Sequence, residues 1–219
     1  MNNTLSTFLS WLVTLLTPIF LLGLGLRILL TPLFYNVEYR MPYFPSDPYG
    51  FSMEDRLHWA RYAVDYLLNN ADISYLGDLT FENGNPLYNE RELSHMHDVK
   101  GVTKGALRGW YESLVLLVGL GTWAWFGNWW QAYRQGLMRG GWLMIGLVVV
   151  LGLFGAIAFW QLFTLFHKLF FQGNTWIFEY SDTLIRLFPL QFWQDAFLWA
   201  GVISVGGALA LALGLRARS

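Results

Sequence analysis

A chain of 219 residues that is 55% hydrophobic, only 13% charged and carries 12 Trp, 11 Tyr and 17 Phe holds more apolar and aromatic side chain than a soluble domain of that size buries. It reads as a membrane protein. A formal net charge of −1 without any block of basic residues gives no nucleic-acid footprint, and the lack of cysteine excludes thiol catalysis, disulfides and cysteine-held metals or clusters.

A membrane span needs about 20 mostly apolar residues, and four segments qualify: 8–31, 110–128, 142–171 and 196–215. The first lacks a basic leading segment and its apolar run is longer than that of a cleaved signal peptide. Arg134 and Arg139 in the loop 129–141, with Arg216 and Arg218 in the tail, carry the positive charge expected on the cytoplasmic side. Both termini are then cytoplasmic. The segments 32–109 and 172–195 lie outside, and the fold class expected is a mainly α membrane protein. It is a four-transmembrane-helix bundle with a small extracytoplasmic α/β head, residues 32–109, inserted between spans one and two.

Within that head, Ser52 followed by Asp55 has the form of a capping box, and Leu57, Ala60, Ala63, Val64 and Leu67 recur at helical spacing. The run LTFENGNPLY places apolar residues on both sides of Asn83-Gly84, a hairpin signal. Asn89 and Glu92 suggest another capping box, opening a short helix through RELSHMHDV. On that helix His95 and Asp98 share a face, whereas His97 points elsewhere.

The third span begins near Trp142, and about 26 residues at 1.5 Å each carry His167 to its outer end. His95 is also outside, so the two imidazoles can meet at the outer surface of the membrane. Gln161, Thr164, His167 and Lys168 form a polar stripe on an otherwise apolar helix, and such residues face a bundle interior or a cavity. A helix turns His95 and His97 far apart, which weakens a metal pair there. Asp182 and Arg186 read as an i, i+4 pair behind a Ser181 cap. No HExxH, GxSxG or phosphate-cradling glycine loop occurs. What remains is histidine acid/base chemistry at the outer interface.

The blocks YGFSMEDRL, RELSHMHDVK and FHKLFFQGNTWIFEYSDTLIRLFP, in this order between Tyr49 and Pro189, resemble those of a bacterial integral membrane family, the lipoprotein intramolecular transacylases. The resemblance implies an acyltransferase of the bacterial plasma membrane. It moves the acyl chain on the middle glycerol carbon of a diacylglyceryl-cysteine to the amino group of that cysteine, giving a lyso-form lipoprotein. It also implies that His95 and His167 carry the reaction, with diacylated lipoproteins and membrane lipids as partners and no cofactor, metal or nucleic acid. Asp98, Lys100, Asn174 and Trp176 are the supporting candidates, Asn174 and Trp176 as donors to a developing oxyanion. Two other readings fit the composition. One is a non-enzymatic module, either a transporter or a bundle whose histidines hold haem or a metal, and the other is a lipid hydrolase using the same histidines.

Overall fold

The computed structural model describes residues 3–171 and 173–215. Arg216 and Arg218, half of the charge behind the expected orientation, lie outside the described residues. Every regular element described is a helix: α1 Asn3–Leu29, α2 Pro32–Glu38, α3 Met53–Leu68, α4 Ser74–Gly77, α5 Glu90–Phe126, α6 Trp130–Phe170, α7 Thr183–Leu187 and α8 Leu190–Gly214.

This corrects the expected α/β head. The Asn83-Gly84 segment does turn back, with Phe81 N donating to Asn85 O at 2.9 Å and Leu87 N to Leu79 O at 2.9 Å, yet it yields one isolated bridge, Thr80 to Pro86, and no strand among the described residues. Pro86 has no N–H to extend a ladder. The flanking runs are only a few residues long, and Leu79, Phe81 and Leu87 pack instead onto the helical core.

The count of four spans is also corrected, because three helices are long and apolar enough to cross a membrane: α1, α6 and α8. The remaining segment expected to span belongs to α5, where Glu112 and the amphipathic rings of Trp110, Tyr111, Trp123 and Trp125 dilute the aliphatic run. The turn after α5 is confined to Gly127, Asn128 and Trp129, with Asn128 at a φ of 59°, so most of the expected loop 129–141 is the start of α6.

The chain divides into two compact units. One comprises Met1–Arg27, Ala106–Ile157 and Leu198–Ser219, and the other Ile28–Gly105 and Ala158–Phe197. In the first, Leu9, Val13, Leu117, Ala124, Trp129 and Tyr133 form one buried cluster and Leu21, Met144 and Ala208 another. Gly136 and Gly140 are spaced as in a G-x-x-x-G contact; a Cβ on Gly136 would stand 2.6 Å from Ser10 O, and one on Gly140 2.5 Å from Thr17 Cβ. Only glycine permits that approach. Hydroxyls here bond to backbone carbonyls, as in Thr14 to Ser10 O at 2.9 Å, Thr17 to Val13 O at 2.8 Å and Tyr133 to Leu117 O at 2.9 Å.

The second unit is built differently. The expected capping box opens α3: Ser52 N donates to Asp55 Oδ2 at 2.8 Å and Asp55 N to Ser52 Oγ at 3.1 Å. One buried core joins Ala63, Tyr66, Leu76, Leu87, Tyr88, Met96, Leu184 and Leu187. A neighbouring one joins Phe34, Tyr35, Tyr39, Ala60, Val64, Phe192 and Ala196. The Asp182–Arg186 pair and the Ser181 cap are corrected, since Asp182 is the N-cap of α7. Each charge takes a partner distant in sequence: Arg186 Nη2 meets Asp47 Oδ2 at 2.9 Å, and Arg91 Nη2 meets Asp182 Oδ2 at 2.6 Å.

Candidate functional site

The first turn of α5 sets the phase of its histidines. Asn89 N donates to Glu92 Oε2 at 2.8 Å and Glu92 N to Asn89 Oδ1 at 3.0 Å, a reciprocal cap. Glu92 is itself buried because Oε1 also accepts Leu184 N, at 2.6 Å. With Glu92 turned inward, residues three, four and eight positions on share its face, and His95, Met96 and Lys100 are buried while His97 is exposed. The expected short helix does not stop at Val99; it continues as α5.

The other histidine comes from the last turns of α6, beyond a break in helical geometry at Ala158. His167 Nδ1 lies 2.8 Å from Phe163 O. A carbonyl oxygen only accepts, so Nδ1 carries a proton, and in the neutral ring Nε2 is left with the lone pair. The anchoring fixes the tautomer and the ring together.

The two imidazoles lie with ring centroids 6.0 Å apart and planes 19° from parallel, inside the reach of about 10 Å that one shared substrate requires. Aromatic rings wall them in. Phe171 is 4.9 Å from His95 and 5.4 Å from His167; Phe178 is 5.3 Å from His95; Phe163 and Trp176 are 4.1 and 4.9 Å from His167. Both histidines are buried, at 8% and 7% exposure. Burial, and then the charge that His167 would carry, push the His95 imidazole down to about 4, so it is neutral at physiological pH.

The supporting candidates separate in space. Trp176 stands at the pair, and its Nε1, like Thr175 Oγ1 and His95 Nδ1, is buried without a hydrogen-bond partner among the described residues. Asn174 is exposed. Asp98 is half-buried and makes no hydrogen bond to His95 among the described residues. Lys100 is taken up elsewhere, donating to Ala71 O at 2.5 Å and Asn69 Oδ1 at 3.1 Å over the Tyr66 ring, at the end of α3. Gln161, Thr164 and Lys168 line a shallow groove of about 400 Å³ with Trp160 and Leu165. The fourth histidine, His58, is exposed and stacks edge-on against Trp59 at 4.5 Å.

Sequence reasoning missed the walls, Phe163, Phe171 and Phe178. Phe163 and Phe171 stand four residues either side of His167, a spacing that puts three rings on one helical face.

Such an arrangement places two imidazoles in an apolar enclosure, where like-charge repulsion disfavours charging both at once. It suits moving a proton between two atoms of one bound molecule.

The family model described as lipoprotein intramolecular transacylase Lit matches residues 10–193. An uncharacterized protein of Aquifex aeolicus (strain VF5) is 29% identical over 209 residues, 94% of this chain and 93% of that one. Among solved structures, the membrane integral lipoprotein intramolecular transacylase Lit from Bacillus cereus superposes with a TM-score of 0.68 at 20% identity, covering 96% of this chain and 94% of that chain. A second structure of the same Bacillus cereus protein, with a histidine replaced by alanine, gives a TM-score of 0.61 at 20% identity over 97% and 93% of the two chains.

Proposed function

The chain belongs to the lipoprotein intramolecular transacylase family, a family of membrane acyltransferases, and on that premise we propose that His95 and His167 transfer an acyl chain within one lipoprotein molecule. The acyl group on the middle glycerol carbon of the diacylglyceryl-cysteine passes to the α-amino group of the same cysteine. The observation that carries this reading is the near-parallel imidazole pair, 6.0 Å apart in an aromatic enclosure.

An α-amino group titrates near 8, so roughly a tenth of it is a free amine at pH 7. That nitrogen attacks the ester carbonyl and becomes cationic. His167 Nε2, left as an acceptor by the bond from Nδ1 to Phe163 O, takes its proton. The ester C–O bond then breaks, the amide C–N bond remains, and the imidazolium returns the same proton to the glycerol oxygen. From the free amine onward no proton is gained or lost, and the ammonium form first gives its extra proton to solvent. His95, held neutral by burial, donates its one N–H to the developing oxyanion, with Trp176 Nε1 as a second donor. Nucleophile and ester lie on one substrate, so attack closes a ring of roughly eight atoms, and the aromatic walls contribute by restricting that flexible path. Exclusion of water keeps the chain from hydrolysis.

We infer further that the start of α6 is cytoplasmic, on the strength of Arg134 and Arg139, and that its far end, with His167, faces outward. Diacylated lipoproteins anchored in the plasma membrane are then the substrates.

Two synthetic diacylglyceryl lipopeptides, one with deuterated acyl chains and a distinct peptide, test the reading when mixed with the purified protein. Fragmentation of the products should place each N-acyl chain on the peptide it started with. Crossover of labelled chains contradicts intramolecular transfer, and release of free fatty acid without N-acyl product makes the protein a hydrolase.

A further inference from the structure

Glu38 ends α2 and is fully buried at 0% exposure. Neither Oε1 nor Oε2 receives a hydrogen bond from an N–H or hydroxyl donor among the described residues. Its helix packs Phe34 and Tyr35, with Tyr39, against Ala60 and Val64 of α3 and Phe192 and Ala196 of α8. The neighbour that acts on its carboxyl is Asp195 of α8, itself buried, with Oδ2 accepting from Gln191 Nε2 at 2.8 Å. A buried ionised carboxylate without partners is too costly to keep, and two adjacent ones do not both ionise.

We propose that Glu38 and Asp195 share one proton and act as a positioning pair, holding α2 on the first turns of α8 and, through Trp193 and Phe197, the segment of α6 that carries His167. The pairing stands on its own; its catalytic consequence rests on the role of His167 proposed above. The route is a chain of contacts. Trp193 lies 6.3 Å from Phe163, and Phe197 lies 6.3 Å from Phe166 and 5.9 Å from Phe159. Phe163 O accepts the His167 Nδ1–H. A shift of α8 is therefore felt at the carbonyl that fixes the imidazole.

The other titratable groups around the pair leave the proton to it. Tyr39 donates to Leu187 O at 2.9 Å, Tyr35 is a phenol that burial holds protonated, and Tyr43 is exposed. On α3, Arg61 and Asp65 act on Tyr35 and Arg56 acts on Tyr39, and Arg56 is committed to Arg186 O at 3.1 Å and Pro45 O at 2.6 Å. Burial, followed by the Asp195 carboxylate, pushes Glu38 up to about 8. Since its folded value lies above the ordinary 4.5, the stability it contributes is complete below pH 4.5 and is lost as pH rises to about 8.

The test uses the full chain in detergent between pH 6.5 and 9, above the range where His95 titrates. Thermal midpoints and transfer rates are compared for wild type, Glu38→Gln, Glu38→Ala and Asp195→Asn. Wild-type midpoints should fall with rising pH and level off above about 8. Glu38→Gln, neutral at every pH, should abolish the fall and rescue the transfer that Glu38→Ala loses, with the ratio of its rate to wild type rising severalfold from pH 7 to 9. Asp195→Asn should move the fall to lower pH. A wild-type slope persisting in Glu38→Gln, or an unmoved fall in Asp195→Asn, overturns the shared proton. A flat midpoint with a constant rate ratio overturns the positioning role alone. If the midpoints behave as expected while His167→Gln still transfers, the reading of His167 fails and the pair does not.

Discussion

The two units are held together by different chemistry. The unit formed by Met1–Arg27, Ala106–Ile157 and Leu198–Ser219 relies on glycine contacts and on hydroxyls bonded to backbone carbonyls, the means available where lipid offers no hydrophobic drive between helices. The unit formed by Ile28–Gly105 and Ala158–Phe197 relies on capping boxes, ion pairs such as Arg186 with Asp47, and stacked rings. Both units keep buried polar atoms unpaired among the described residues, at Trp110 and Trp129 in the first and at His95, Trp176 and Glu38 in the second. Unpaired buried groups cost stability, and three of them, His95 Nδ1, Thr175 Oγ1 and Trp176 Nε1, belong to the segments that carry the proposed chemistry. Both proposed histidines fall in the second unit, so on the proposed function the first unit serves as scaffold.

The sharpest break between them is made by His167→Gln. It should lower transfer about 100- to 10,000-fold while leaving the thermal midpoint near wild type, because the residue ends a helix whose core contacts remain. His95→Ala should cost about 100- to 1,000-fold, the loss of one oxyanion donor, and His95→Gln should recover part of that, which separates a donor from a base. Single-turnover rates on a diacylglyceryl lipopeptide read all three.

The next largest effect is on pH-dependent stability. The His95 imidazole titrates near 4 when folded against an ordinary 6.5, so the unfolded chain binds the extra proton between these values. About 3 kcal/mol of stability is then lost as pH falls from 6.5 to 4. The difference between wild type and His95→Gln in denaturation across that window should show it, with the Glu38 contribution common to both.

In the scaffold unit, Gly140→Val should cost about 1–3 kcal/mol, since its Cβ would meet Thr17 Cβ at 2.5 Å. Transfer per folded molecule should stay at the wild-type rate, as measured on the monodisperse fraction. Loss of rate without loss of stability would break the division of labour. The smallest effect belongs to His97→Ala, on the exposed face of α5, where stability should move by less than about 0.5 kcal/mol and transfer should be retained.

The site was more legible in the sequence than the fold around it. His95 is placed by the Asn89–Glu92 cap and His167 by the length of its helix, both local signals, and these bring the rings together. The hairpin failed because Asn83-Gly84 announces a turn without saying whether the flanks can pair, and Pro86 prevents them. Continuity of α5 was hidden because the polar head segment and the apolar run from residue 110 differ in composition, although Gly101, Gly105 and Gly109 between them each cost a helix only about 1 kcal/mol and all lie inside it. Arg186 and Lys100 find partners in Asp47 and Asn69, which sequence spacing does not reveal. Asp98 shares the helical face of His95 at i+3, but spacing alone makes no hydrogen bond.

The central claim, transfer within one molecule by the His95 and His167 pair, is tested most directly in a bacterial host whose lipoproteins carry no N-acyl group. The chain and its His95→Ala, His167→Gln and His97→Ala variants are expressed there at matched membrane levels, and the N-terminal lipopeptide is fragmented by mass spectrometry, since moving a chain leaves the total mass unchanged. The wild type and His97→Ala should give an N-acyl cysteine with one acyl chain left on the glycerol, and the other two variants should leave both chains there. An N-acylated lyso-form product from His167→Gln, or its absence from the wild type, would contradict the account.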